Sequence, residues 1–140
     1  MKLSSGMREQ LVQEIRFAVD GMRKSPKSAD KMYYFSAVYA VIDRVYNFEY
    51  DPELVFIYQV LRQSFDSINA KMSLSAQRDI GLGTGIPTNL FDRLCSCLDE
   101  LATRIEKGKK TYTILQDISN IGYSTTGNGF YLYTKGMLKI

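Results

Sequence analysis

Apolar residues recur along most of the chain at steps of three and four, the spacing that gathers them on one face of an α-helix. Met7, Leu11, Ile15, Ala18 and Met22 form such a stripe after Ser4 and Ser5, either of which can cap a first helix over about 5–24. Ser25-Pro26-Lys27 interrupts the pattern, because proline restricts the residue before it and has no backbone N–H. Ser28 then reads as the cap of a second helix over about 29–48, with Asp30 at the positive end of its dipole. Asp51-Pro52-Glu53 is the sharpest local signal: a capping acid, a proline where its missing donor costs nothing, and a second acid in the first turn. It opens a third helix over about 52–72, striped by Leu54, Ile57, Leu61, Phe65, Ile68 and Met72 and flanked by an Arg62–Asp66 pair four residues apart. A fourth, over about 89–107, divides cleanly into an apolar arc from Leu90 to Ile105 and a polar arc, and ends at Gly108 after a cationic last turn.

The remainder is less regular. Residues 73–88 hold Gly81, Gly83 and Gly85 and read as a connector. Thr113-Ile114-Leu115-Gln116 fits a capping box for a short fifth helix over about 114–121, although Thr111 to Ile114 would also suit a strand. Tyr123 to Thr126 and Phe130 to Thr134 have β-propensity on either side of Gly127-Asn128-Gly129, which predicts a hairpin over about 123–134. The expected architecture is mainly α: an antiparallel four- to five-helix bundle with a small C-terminal β-hairpin. The short link after Phe48 makes the second and third helices antiparallel neighbours.

Composition agrees with one domain over residues 1–140, since 45% of the chain is apolar and 24% charged, with only 3 Pro. Counting also excludes chemistry. The absence of His from the 140 residues rules out Ser-His-Asp and Cys-His hydrolases and the commonest nitrogen ligand for a transition metal. Neither a cofactor nor a metal site is expected. The 2 Cys and the lack of an N-terminal apolar run point to a reducing, cytoplasmic setting. The longest apolar stretch, Met32 to Ile42, falls short of the roughly 20 residues that cross a bilayer, so no membrane association is expected.

Candidate chemistry is sparse. The glycine run Gly81-Leu82-Gly83-Thr84-Gly85 precedes a helix, but it lacks the Gly-Lys-Ser/Thr of a phosphate-binding loop. Cys95 and Cys97 point roughly 160° apart on a helix and cannot chelate together, so they read as small hydrophobes. Glu49, Asp51 and Glu53 are the densest acidic cluster, and two of them are explained by capping. Asp43 stands in the apolar second helix beside Tyr39, Tyr46 and Asn47, and an enzyme would have to use it with those tyrosines.

Two features remain for function. The second helix is apolar around nearly its whole circumference, so it must meet several neighbours or a second protomer; Tyr34, Val38, Tyr39, Val45 and Tyr46 form the expected interface of a homo-oligomer or protein complex. Charge supplies the other feature. Residues 1–108 balance 14 cations against 14 acids, whereas Lys109, Lys110, Lys135 and Lys139 face Asp117 alone in the remainder. With Lys107, Tyr112, Tyr131 and Tyr133 they would form a nucleic-acid-binding segment in which cations alternate with stacking rings. The favoured expectation is a non-enzymatic interaction or adaptor protein, with nucleic-acid association second.

Overall fold

The computed structural model describes residues 1–77 and 89–126, and five helices account for most of them: α1 (Ser5–Lys24), α2 (Ser28–Phe48), α3 (Pro52–Gln77), α4 (Leu90–Lys107) and α5 (Tyr112–Thr126). Their principal contacts form a ring in the order α1, α2, α3, α5, α4, with α4 closing on α1. Directions follow from which residues meet. Arg8 donates to the Ile105 carbonyl, Arg16 to Thr103, and Arg23 pairs with Asp99, so α1 and α4 run antiparallel. On the other side, Glu53 meets Thr111, Phe56 meets Tyr112, and Ser64 meets Ile118, so α3 and α5 run parallel. A ring with an odd number of helices cannot alternate throughout. One parallel pair is therefore unavoidable, and the α3/α5 pair departs from the antiparallel expectation.

The helix starts and stops show which local signals act. Ser4 caps α1 through its hydroxyl, which accepts from the Met7 amide at 3.4 Å. Ser28 is not the cap of α2: the helix begins one residue earlier, Lys27 occupies the cap without a side-chain bond, and the Lys27 carbonyl accepts from Lys31. Asp51 opens α3 as its sequence predicts, accepting from the Glu53 amide at 2.8 Å. That helix continues past Met72 to Gln77, because no glycine or proline interrupts Ser73 to Gln77. Gly108 ends α4 in the left-handed region at φ 68°, where a side chain would be strained.

The largest correction falls on α5. It begins at Tyr112 and runs to Thr126, so Tyr123 to Thr126, expected as the first arm of a hairpin, continue the helix. The rest of that hairpin, residues 127–134, lies outside the described residues, as does the glycine run at 81–85. Thr113 is not a cap either: Arg104 of α4 donates to its hydroxyl. Strand propensity here yields to packing. Leu115 and Ile118 are fully buried, and a Cβ on Gly122 would lie only 3.4 Å from the Ser64 Cα, so the helix is held close along α3.

A single cluster of buried side chains fills the ring, with contributions from all five helices, among them Ile15, Phe35, Ile57, Leu98 and Leu115 at about 0% exposure. Gly21 has a separate use at the rim. A Cβ there would fall 2.5–2.8 Å from the Tyr34 ring, so the glycine is a notch in α1 that receives a ring from α2. Alanine at this site gains about 1 kcal/mol of helix propensity and loses the seat of the ring. We expect Gly21→Ala to move the melting temperature little while shifting the Tyr34 ring resonances in NMR. An alanine variant stabilised by the full propensity gain, with those resonances unmoved, would show that the notch is unused.

Candidate functional site

Among the described residues, four large rings are at least 70% exposed; Tyr50 is in the link between α2 and α3, and the other three, Phe17, Tyr33 and Phe48, lie on the outer face of the α1/α2 pair. Antiparallel packing of these helices follows from the short Ser25-Pro26-Lys27 link, and it opposes Met7 to Phe48 at one end and Gly21 to Tyr34 at the other. Between them runs a groove with two hollows. The smaller, about 290 Å³, is lined by Met7, Gln10, Val41, Val45 and Phe48. The larger, about 470 Å³, is lined by Gln13, Phe17, Ala18, Tyr33, Tyr34 and Ala37. Glu14 and Arg44 border both hollows and pair across the middle at 3.2 Å. Phe17, Tyr33 and Phe48 stand on the rims at 76%, 70% and 82% exposure, unusual for side chains of this size.

The residues expected to form an interface are distributed differently. Val38 is fully buried and Val45 is 4% exposed, so the first cannot reach an outside partner and the second only forms the floor of the smaller hollow. The reason is that α2 turns this side toward the common core. Tyr39 and Tyr46 lie in the seam with α3, their ring centroids 5.8 Å and 5.9 Å from that of Tyr58, and Arg62 stacks 5.3 Å from Tyr39. Of the five expected residues, Tyr34 and Val45 alone line the groove. Phe17, Tyr33 and Phe48 are its most exposed large apolar side chains. The available signal was Phe17 itself, a large ring outside the apolar stripe of α1, in the place of a solvated residue.

Asp43 accepts a hydrogen bond from the Tyr46 hydroxyl. This bond to the carboxylate, reinforced by burial, pushes the Tyr46 phenol up to about 12, well above any range useful for proton transfer near neutrality. Burial likewise raises Tyr39, partly opposed by Arg62.

The acidic cluster between α2 and α3 is occupied by backbone and hydroxyl donors. Glu49 accepts from the Ser4 amide at 2.8 Å and the Ser4 hydroxyl at 2.7 Å, Asp51 from the Lys2 amide at 2.8 Å, and Glu53 from the Thr111 hydroxyl at 2.9 Å. Glu49 and Asp51 both tie down the N-terminal segment, at Ser4 and Lys2, while Glu53 bonds to Thr111 and lies 3.6 Å from the Met1 amino group. Among the described residues, no group of His, Cys, Asp or Glu is arranged to hold a metal ion. Burial raises both thiols, at Cys95 and at Cys97, where Asp117 adds to the effect; neither is an activated nucleophile. Cys97 lies beside a hollow of about 500 Å³ between α4 and α5, shared with Asp92, Arg93, Asp117 and Asn120.

Lys107, Lys109 and Lys110 are exposed around the Gly108 turn, and Tyr112, 42% exposed, sets its ring against Phe56. Lys135, Lys139, Tyr131 and Tyr133 lie outside the described residues. The basic segment is thus described only at its beginning. No helix among the described residues is long and apolar enough to cross a membrane.

Over the described residues the fold is a mainly helical bundle with an aromatic-rimmed groove on its α1/α2 face. Compared with known protein families, curated proteins and solved structures, the chain finds no match.

Proposed function

We propose that this is a non-enzymatic interaction protein that docks a protein partner on the α1/α2 face. One observation carries the reading: three large rings, each at least 70% exposed, border a single groove with apolar hollows at both ends. Isolated exposed hydrophobes are common on proteins, but several along one groove mark a surface that another molecule covers. Tyrosine and phenylalanine supply large contact area with few rotatable bonds, which suits them to interface cores. The groups singled out for chemistry have other uses: Glu49 and Asp51 accept from backbone amides, the Tyr46 phenol donates to Asp43, and burial raises both thiols.

Photo-crosslinking tests this directly. A benzophenone side chain placed at position 17, 33 or 48 should yield discrete protein adducts in cells that make the protein, while the same group at the exposed Lys107 should not. Equal adduct formation at all four positions, or none at any, would overturn the reading.

A further inference from the structure

We infer that the Gly108 turn between α4 and α5 binds single-stranded nucleic acid, with Lys107, Lys109 and Lys110 taking the phosphates and Tyr112 stacking on a base. The turn lies apart from the α1/α2 groove, and neither role depends on the other.

The turn is fixed in the free protein. Gly108 bends the chain at φ 68°, its amide donates to the Ile105 carbonyl at 3.2 Å, and the Lys109 amide donates to the Arg104 carbonyl at 2.8 Å. Arg104 then reaches across the turn, donating to the Lys110 carbonyl at 3.3 Å and to the Thr113 hydroxyl. Beyond it, the Thr111 hydroxyl is tied to Glu53 at 2.9 Å. These bonds hold the backbone that carries the lysines, while all three residues stay exposed. A strand that binds here therefore orders little main chain.

Charge at the turn is of one sign. Residues 107–113 include Lys107, Lys109 and Lys110 and no acid. Among the described residues, no acid pairs with any of the three. The acids that flank the turn are already engaged: Glu100 by Arg104 at 3.0 Å, Glu106 by Arg16 at 3.4 Å, and Glu53 by Thr111 and by the Met1 amino group at 3.6 Å. Lys2 adds an exposed cation at the same end of the bundle, since its amide is held by Asp51 at the start of α3. A polyanion thus meets free cations there, and neutralising its phosphates releases counterions.

The free groups favour phosphate over carboxylate. Carboxylates are gripped best by the arginine fork, and the arginines at this end are committed within the chain. Arg8 donates to the Ile105 and Met1 carbonyls, and Arg104 to Lys110, Thr113 and Glu100. What remains is lysine, a point charge that meets a phosphate from any direction. The rings favour a single strand. Tyr112 is 42% exposed with its ring set against Phe56, centroids 6.2 Å apart, and Tyr50, 73% exposed, stands just before Asp51 at the same end. Duplex bases are stacked on one another, whereas unpaired bases are free to stack on such rings.

Fluorescence anisotropy of a labelled oligo(dT) of about 12 nucleotides, titrated with the full chain, tests the site. Binding should saturate and weaken about 20-fold between ~50 and ~200 mM salt, the dependence expected when three phosphates of a single strand are neutralised. Lys109→Gln combined with Lys110→Gln should weaken binding about fivefold or more and flatten the salt dependence. The charge-matched pair Lys24→Gln and Lys27→Gln, at the other end of α1, should change it by less than about twofold. Tyr112→Leu keeps an apolar contact for Phe56, and should weaken binding about fivefold or more with the salt dependence unchanged, because stacking releases no counterions. Circular dichroism checks that each variant folds. No binding at the lower salt, equal losses from the two lysine pairs, or indifference to Tyr112→Leu would overturn the assignment. So would a duplex or a poly(glutamate) peptide that binds as tightly as oligo(dT), the latter pointing to an acidic protein instead. Binding that survives at 109 and 110 but is lost with Lys135→Gln and Lys139→Gln would also overturn it.

Discussion

Replacing Phe35 with alanine should lower the free energy of unfolding by about 3–5 kcal/mol, the largest single loss expected in the molecule. The side chain is 0% exposed and sits on the inner face of α2, with its ring centroid 5.9 Å from that of Phe65 on α3. Its removal takes a large apolar surface out of the core and leaves a cavity that the surrounding helices cannot close. Those neighbours are held on two sides, since α2 packs against both α1 and α3. Denaturant titration of Phe35→Ala measures the loss. Phe17→Ala, at 76% exposure, provides the contrast and should change stability by no more than about 0.5 kcal/mol. Equal effects at the two positions would contradict the assignment of one to the core and the other to the groove.

The second large effect belongs to Asp51, where alanine should cost about 2–3 kcal/mol. This carboxylate is 7% exposed and accepts from the Lys2 and Glu53 amides, both at 2.8 Å, so it ties the N-terminal segment to the start of α3. Truncation removes the helix cap and leaves two partly buried amides without their acceptor. Burial alone would raise the Asp51 carboxyl, but the amides of Lys2, Glu53 and Leu54 outweigh it and hold it below its ordinary value. The Ser4 amide and hydroxyl lower Glu49 in the same way. A carboxylate whose folded value is depressed stabilises the protein fully above its unfolded value, near 4, and loses that contribution as pH falls through the folded one. Stability should therefore decline below about pH 4, and Asp51→Ala should flatten the decline. Urea midpoints across an acid series decide it: an unchanged acid slope in the variant would remove Asp51 from the account.

Much of the helical framework was legible along the chain because its signals are local. Asp51-Pro52-Glu53 starts α3 and Gly108 ends α4 where the sequence places them, since capping and left-handed backbone depend on a few adjacent residues. The misreadings came where contacts distant in sequence decide. Tyr123 to Thr126 are residue types that favour strands, yet they continue a helix that packs along α3, where Ser64 donates to the Ile118 carbonyl. Thr113 has the form of a cap but is engaged by Arg104 from the preceding helix.

The groove was legible in part. Periodicity shows that α2 has more apolar surface than one neighbour can cover, a property of spacing alone. It does not show which residues the surplus consists of. Val38 and Tyr33 are both large apolar or aromatic positions on one helix, yet the first is 0% and the second 70% exposed. Their difference arises from the directions in which α1 and α3 approach α2.

What this sequence determines by itself is therefore one-dimensional: which stretches are helical, the ends that carry a strong local cap, which stripe of each helix is apolar, and which chemistries the missing histidines exclude. Tertiary structure decided the order of the helices around the core, the parallel contact between α3 and α5, and the exposure of Phe17, Tyr33 and Phe48. Helix formation is set within a few residues by backbone hydrogen bonding and side-chain spacing. Burial is set by whatever the rest of the chain brings alongside, and a side chain carries no local mark of which neighbour will cover it.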